Sequence, residues 1–341
     1  MKRLLGSLGL LVVLALTAFV VGCGGSSDNT SSSASKSTGS STSKSPANVD
    51  LTQGSNLKFA MVTHSDEGSF WSVVKKGAQQ AAKDEGVQLI WSPSNNDPQK
   101  QAQLIAAAIS QKVDGLAVSV PNYDAIKGEL QKAKAAGIPI VTLNSGVDQF
   151  QQIGAITHVG QTETIAGQAA GAKLKAAGVK KVLCVIHEQN NIGLQQRCQG
   201  VKQGFGGPVT NINVKGTADI ATTQTEIKSK LQADKSFDGV IALNPDIASA
   251  AVTAVKGAGS SAKLATFDLS PKVLTDIKDG TVLFAVDQQQ YLQGYLPVVF
   301  LKLFKTNANT VGGGKPVLTG PGFVDKANAV TVTKLSGSGT R

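Results

Sequence analysis

The chain reads as an α/β protein of two similar lobes, each a parallel sheet covered by helices on both faces. Three observations predict this. Short apolar runs alternate with amphipathic stretches spaced by three and four residues, from residue 57 onward. Glycines such as Gly86 and Gly137 close the amphipathic stretches, as helix ends favour. The order of elements then occurs twice, although identity between the halves is too low for a repeat. A chain of 341 residues is long enough for two cores.

In order, LKFAMV at 57–62 is the first strand. It leads into THSDEGSFWSVVKKG at 63–77, which opens a helix running from Ser69 to about Glu85. Phe70, Val73, Val74, Gly77, Ala78 and Ala81 form its apolar stripe, Ser69 is the predicted N-cap, and Asp66 and Glu67 lie near the positive end of the dipole. VQLIW (87–91) is a strand, and the loop SPSNNDP (92–98) opens a helix over 101–110. DGLAVSV (114–120) is a strand, Pro121-Asn122 starts a helix that Gly137 ends, and IPIVTL (138–143) is the next strand.

The second series starts from a strand over 153–160. A helix follows at 162–177, then the strand KKVLCVI (180–186), a helix at 192–205 and the strand VTNINV (209–214). Next come a helix at 221–233, the strand DGVIAL (238–243), a helix from Pro245 to about Gly257 and the strand AKLATF (262–267). A helix at 271–278 and the strand TVLFAV (281–286) close the series. A long apolar helix at 291–304, a glycine-rich loop at 312–314 and a strand near 329–332 return to the lobes. Loops at the carboxyl ends of parallel strands are where open α/β sheets place ligands. Phe70 and Trp71 stand just after the first such loop, and on local grounds core packing is as good a reading for them as binding.

The N terminus carries an address. Lys2-Arg3 and the apolar run at 10–21 form an export signal, and Val20-Val21-Gly22-Cys23 resembles a bacterial lipobox. The expectation is a leader over 1–22, a lipid on Cys23, and a Ser-rich tether over 23–54 that reaches roughly 30 Å. The folded part is then extracytoplasmic and held at the membrane. In that oxidising compartment Cys184 and Cys198 are candidates for a bridge, the alternative being two buried thiols. The three histidines, His64, His158 and His187, follow no metal-ligand spacing, and no metal or cofactor is expected.

The formal net charge is +10; without Lys2 and Arg3, 31 basic against 23 acidic residues leave +8. The lysines are scattered over helix faces and do not interleave with aromatics, which argues against nucleic acid. No GxSxG, P-loop or HExxH motif is present, which argues against the commoner enzyme classes.

The chain resembles the type I periplasmic sugar-binding proteins of ABC importers, the ribose/galactose-binding group, over about 56–333. The resemblance rests on FWSVVKKGAQQAAKDEGV (70–87), VDGLAVSVPNYDAI (113–126), AAGIPIVTLNSG (135–146), RCQGVKQGF (197–205), DGVIALNPDIA (238–248), ATFDLSP (265–271) and DQQQYLQGY (287–295), in this order. It implies two Rossmann-like lobes, 55–160 plus 288–318 and 161–287 plus 319–335. Three chain crossings near Gly160, Asp287-Gln288 and Leu318 would form the hinge, and the lobes would close on one ligand.

The ligand residues of the ribose binders map onto Phe70, Trp71, Asn144, Arg197, Asn244, Asp268 and Gln288. The aromatics would stack on a sugar face while Arg197, Asn244 and Asp268 pair with hydroxyls. Asp268 could instead cap a helix, whereas Arg197 has no evident partner in sequence. The resemblance departs at Asn144-Ser145, where ribose binders have Asp-Arg, and at Glu67-Gly68, where they have two Asn. The second-lobe aromatic of the ribose site falls near Asp219. His64, Asp66 and Glu67 are therefore candidates for ligand choice, and Trp71→Ala is expected to abolish binding while leaving the fold intact.

The implied function is a monomeric, lipid-anchored receptor that delivers a monosaccharide or sugar-like polyol to an ABC permease. The alternative is a lipoprotein of the same fold that reports its ligand to a membrane sensor kinase or chemoreceptor.

Overall fold

The computed structural model of the protein describes residues 56–341. The expected leader, Cys23 and the tether lie outside them. The first half runs β1 (Lys58–Thr63), α1 (Gly68–Asp84), β2 (Gln88–Pro93), α2 (Pro98–Ser110), β3 (Gly115–Ser119), α3 (Tyr123–Ala135), β4 (Ile140–Leu143), α4 (Phe150–Ile153) and β5 (His158–Gly160). The second runs α5 (Glu163–Ala176), β6 (Val182–Ile186), α6 (Ile192–Phe205), β7 (Val209–Asn213), α7 (Ile220–Ala233), β8 (Gly239–Ala242), α8 (Pro245–Gly257), β9 (Lys263–Phe267), α9 (Pro271–Asp279) and β10 (Val282–Asp287). Last come α10 (Gln290–Asn307), β11 (Val317–Leu318), β12 (Gly322–Asp325) and α11 (Ala329–Gly337).

Two six-stranded sheets result. One has the order β11-β5-β4-β3-β1-β2 with every pair parallel. The other has the order β12-β10-β9-β8-β6-β7 and is parallel except where β12 lies antiparallel to β10. Strand alternation sends neighbouring residues to opposite helical layers. In β1, Phe59 and Met61 join the layer of α1 and α10, whereas Ala60 and Val62 join that of α2 and α3. In β6, Leu183 and Val185 face one core and Val182, Cys184 and Ile186 the other.

Both lobes set their site-bearing helices by glycine crossings. A Cβ on Gly77 or Gly294 would strike the Tyr291 or Val74 carbonyl oxygen, so α1 and α10 meet backbone to backbone. Gly167, Gly171, Gly200 and Gly204 do the same between α5 and α6. Cys184 and Cys198 are disulfide-bonded, tying β6 to α6. Replacing both with alanine is expected to cost about 3 kcal/mol by restoring denatured-chain entropy. The thermal midpoint should fall, and a reductant should lower it in the parent protein but not in the variant.

The three crossings between the sheets lie at Gly160–Gln161, Asp287–Gln288 and Leu318–Thr319 and hydrogen-bond to one another. Thr319 N donates to Gly160 O at 2.7 Å, and Gln289 Nε2 donates to Thr319 O at 2.7 Å. Three local readings change. The β-branched stretch expected as a strand at 329–332 is helix α11, because Ala329, Val332 and Ser336 are buried at helical spacing. The returning strand is β12. Residues 153–160 form a strand only from His158, since Gly154 in the left-handed region ends α4 first. Ser69 does not cap α1, which begins one residue earlier with Glu67 at the N-cap position.

Candidate ligand-binding cleft

The loops at the carboxyl ends of both sheets face each other across a pocket enclosing about 430 Å³ of non-atom space, part of it open to solvent. Nine of the residues singled out in the sequence line it: His64, Glu67, Phe70, Trp71, Asn144, Arg197, Asn244, Asp268 and Gln288. Asp66 and Asp219 do not. Asp66 lies outside the lining. Asp219 is exposed and caps α7, its Oδ1 accepting Thr222 N at 3.0 Å. Its carboxylate is committed to the N-terminus of α7 instead.

Arg197 forms the floor. It is 4% exposed, and it does have a partner: Glu163, in the first turn of α5. Arg197 Nε donates to Glu163 Oε2 at 2.6 Å and a terminal nitrogen donates to Oε1 at 3.0 Å. The other terminal nitrogen donates to Leu243 O at 3.2 Å and stands 4.0 Å from Asp268 Oδ2. The guanidinium also covers the Phe267 ring, 4.7 Å from its centroid. Three of its five N–H donors thus have protein acceptors, which leaves two for the pocket.

Asn144 and Asp268 occupy equivalent places, just after β4 and β9, and both have left-handed backbones, with φ of 60° and 66°. Asn and Asp tolerate this region better than other side-chain-bearing residues, and such strain clusters at functional sites. Asp268 does not cap α9; Ser270 does, accepting Val273 N. Asp268 Oδ2 accepts from Gln288 Nε2 at 3.1 Å, while its buried Oδ1 has no protein partner. Gln293 continues the chain, donating to Gln288 Oε1 at 2.9 Å and accepting from Asn144 Nδ2 at 3.3 Å. A polar wire therefore runs from one lobe to the other through the hinge. Asn244 caps α8 through its side-chain oxygen, which accepts Asp246 N and Ile247 N, so its amide nitrogen remains to donate.

The opposite wall is aromatic. Trp71 meets Phe70 and His64 edge-on, with ring centroids 5.1 and 4.9 Å away. Trp71 is also 4% exposed and belongs to the core of its lobe together with Phe59 and Val74. Its removal will therefore cost stability as well as binding, contrary to the expectation of an intact fold.

Five further polar residues of the second lobe line the pocket without being assigned to it from the sequence: Glu163, His187, Glu188, Asn191 and Thr217. HEQNN at 187–191 follows a strand directly, and that position alone marks it as cleft-facing. His64 Nδ1 contacts Ser119 Oγ at 2.8 Å, and its Nε2 faces Glu188 Oε2 at 3.5 Å across the cleft. Asn191 Nδ2 donates to Glu188 Oε2 at 2.7 Å, and Ser145 Oγ stands 3.2 Å from Asn191 Oδ1. The lobes thus touch directly, and the structure is a closed form.

Burial pushes the Asp268 carboxyl up to about 7, outweighing the Arg197 charge and the Gln288 hydrogen bond, which both pull it down. Burial also holds the His187 imidazole down at about 4, so it is neutral at physiological pH. Burial would raise the Glu188 carboxyl too, but His64 and Asn191 outweigh it and hold the group below the carboxylate range. The Asp268 shift sets a sign. The unfolded carboxyl releases its proton near pH 3.9 and the folded one near 7, so the folded state holds the extra proton between them. Asp268 thus destabilises the unliganded fold progressively as pH rises from about 4 to 7. Asp268→Asn should lack this slope. Its thermal midpoint minus that of the parent should increase with pH across the window and level off above 7.

Among the described residues no group of His, Cys, Asp and Glu is placed to hold a metal ion. Residues 59–305 match the family described as periplasmic binding protein domain. A solved carbohydrate transporter from Acidothermus cellulolyticus 11B, in complex with myo-inositol, is 46% identical with a TM-score of 0.82, over 84% of this chain and all of that one. The xylose/arabinose-binding protein of Sulfolobus acidocaldarius is 25% identical, over 83% of this chain and 75% of its own length. The D-apiose import binding protein of Actinobacillus succinogenes is 25% identical, over 82% and 92% respectively. With its two hinged α/β lobes around one polar cleft, the chain belongs to the periplasmic binding proteins, and among them to the type I sugar-binding group.

Proposed function

We propose that the protein captures an uncharged polyhydroxylated ring, a cyclitol such as myo-inositol or a monosaccharide, by closing its lobes, and delivers it to an ABC permease. The observation that carries this is the buried Arg197–Asp268 pair, which offers two free N–H donors and an unpartnered carboxyl oxygen opposite the Trp71-Phe70 wall. Adjacent ring hydroxyls match such a donor–acceptor pair, and the C–H face of the ring matches the aromatics. The 46% identical relative holds myo-inositol. In this reading Asn244 and His187 contact further hydroxyls, while Gln288 and Asn144 set the geometry through the hinge wire.

The lining carries four carboxyl groups, Glu67, Glu163, Glu188 and Asp268, against Arg197 as the one permanent cation. An anionic ligand meets repulsion in a low-dielectric pocket. A thermal-shift series tests the reading. Myo-inositol or a hexose or pentose should raise the midpoint, and myo-inositol 1-phosphate should not. A larger shift from the phosphate ester, or none from any neutral polyol, would contradict it.

The protein acts as a binder without turnover; release of nitrophenol from nitrophenyl glycosides would argue otherwise. Attachment to the membrane is through a lipid on Cys23, the cysteine that closes the apolar run at 10–21. Radiolabelled palmitate incorporated into the parent chain but not into Cys23→Ala tests that assignment.

A further inference from the structure

Helix α1, which carries Trp71, begins without a cap of its own. Glu67 stands at the N-cap position with no side-chain hydrogen bond to the helix, and the first turn contains no acid. The first backbone N–H groups of a helix need an acceptor and favour a negative charge. Here the acceptor comes from the other lobe. Asp246, in the first turn of α8, takes Ser69 N on Oδ2 at 3.1 Å and Ser69 Oγ on Oδ1 at 2.9 Å. Thr217 Oγ1 of the same lobe donates to Glu67 Oε2 at 3.2 Å alongside.

Gly68 lies over this contact with φ of 79°, and a Cβ there would collide with Asp246 Oδ2. Only glycine lets the carboxylate reach the helix end. Both partners are tied to the pocket without lining it. Ser69 precedes Phe70-Trp71 directly, and Asp246 N is held by the pocket residue Asn244 at 2.7 Å.

We propose that Asp246, Gly68 and Ser69 form an inter-lobe latch, in which Asp246 caps α1 across the cleft only when the lobes are closed. Asp246 and Ser69 are positioning residues: they set the closed population, and ligand affinity follows that population. The proposal rests on the closure reading above but not on the identity of the ligand. On opening, Asp246 returns to water and α1 loses its cap, so the two groups gain most when they meet.

The test combines dissociation kinetics with an inter-lobe distance. Spin labels at Gln79 and Lys256, exposed on α1 and α8, report open and closed populations of the full chain with and without myo-inositol. Asp246→Ala should release myo-inositol about ten-fold faster, as loss of a charged hydrogen bond implies, with little change in association. Its closed fraction should fall and the rise in melting midpoint given by myo-inositol should shrink, which a merely structural role would not give. Ser69→Ala combined with Asp246→Ala should be no worse than Asp246→Ala alone.

Additive effects of the two changes would overturn the latch. So would a parental release rate and distance distribution in Asp246→Ala, or a parent protein that never closes in either condition. A parent that closes spontaneously through Asp246 yet ignores myo-inositol would support the latch and remove the myo-inositol reading.

Discussion

Arg197→Ala should abolish ligand binding and destabilise the second lobe by about 3–5 kcal/mol, the cost of leaving a buried carboxylate without its cation. Two acids depend on this side chain: Glu163 in a two-pronged pair and Asp268 at 4.0 Å. Neither has another cation in the pocket lining. Arg197→Lys separates the effects. An ammonium preserves the charge opposite Glu163 but cannot span both carboxylate oxygens, the Leu243 carbonyl and a ligand at once. It should keep most of the stability and still lose most of the affinity. Chemical denaturation and calorimetric titration of the two variants check this, and an Arg197→Lys protein with parental affinity would remove Arg197 from the site.

Trp71→Ala is the second large effect, and it acts on two levels. The indole fills the core between α1 and its sheet, so truncation should cost about 3–5 kcal/mol. It also removes the pocket wall and the edge contact that positions His64. Trp71→Phe keeps a ring and most of the packing, so it should melt close to the parent while binding more weakly. Equal losses of stability and affinity in both variants would mean that Trp71 serves the core alone.

The fold was legible because strand and helix periods are local properties. Phe59 and Met61 against Ala60 and Val62 already show a strand buried on both faces. Terminal pieces were harder: AVTV at 329–332 has the branched residues of a strand, and only its packing on α9 makes it a helix. Within the site, residues that follow a strand directly, such as Asn144, Asn244 and Asp268, could be placed by position. Partners brought together by tertiary contact could not. Arg197 and Glu163 are 34 positions apart, and only the glycine crossing of α5 and α6 unites them. Asp66 was assigned by its neighbourhood in the chain and Asp219 by the ribose-site aromatic that falls near it, and a turn of one or two residues decides which way a side chain faces. The trans-lobe cap of α1 has no sequence signal, because a cap supplied 177 residues away looks like a missing one.

Isothermal titration of the purified protein with myo-inositol, other neutral polyols and monosaccharides tests the central claim most directly. Capture in a single closing cleft predicts saturable binding of one molecule per chain for at least one of them, and none for Arg197→Ala held under conditions where it is folded. Heats of mixing alone from every neutral ring, or undiminished binding by folded Arg197→Ala, would contradict it.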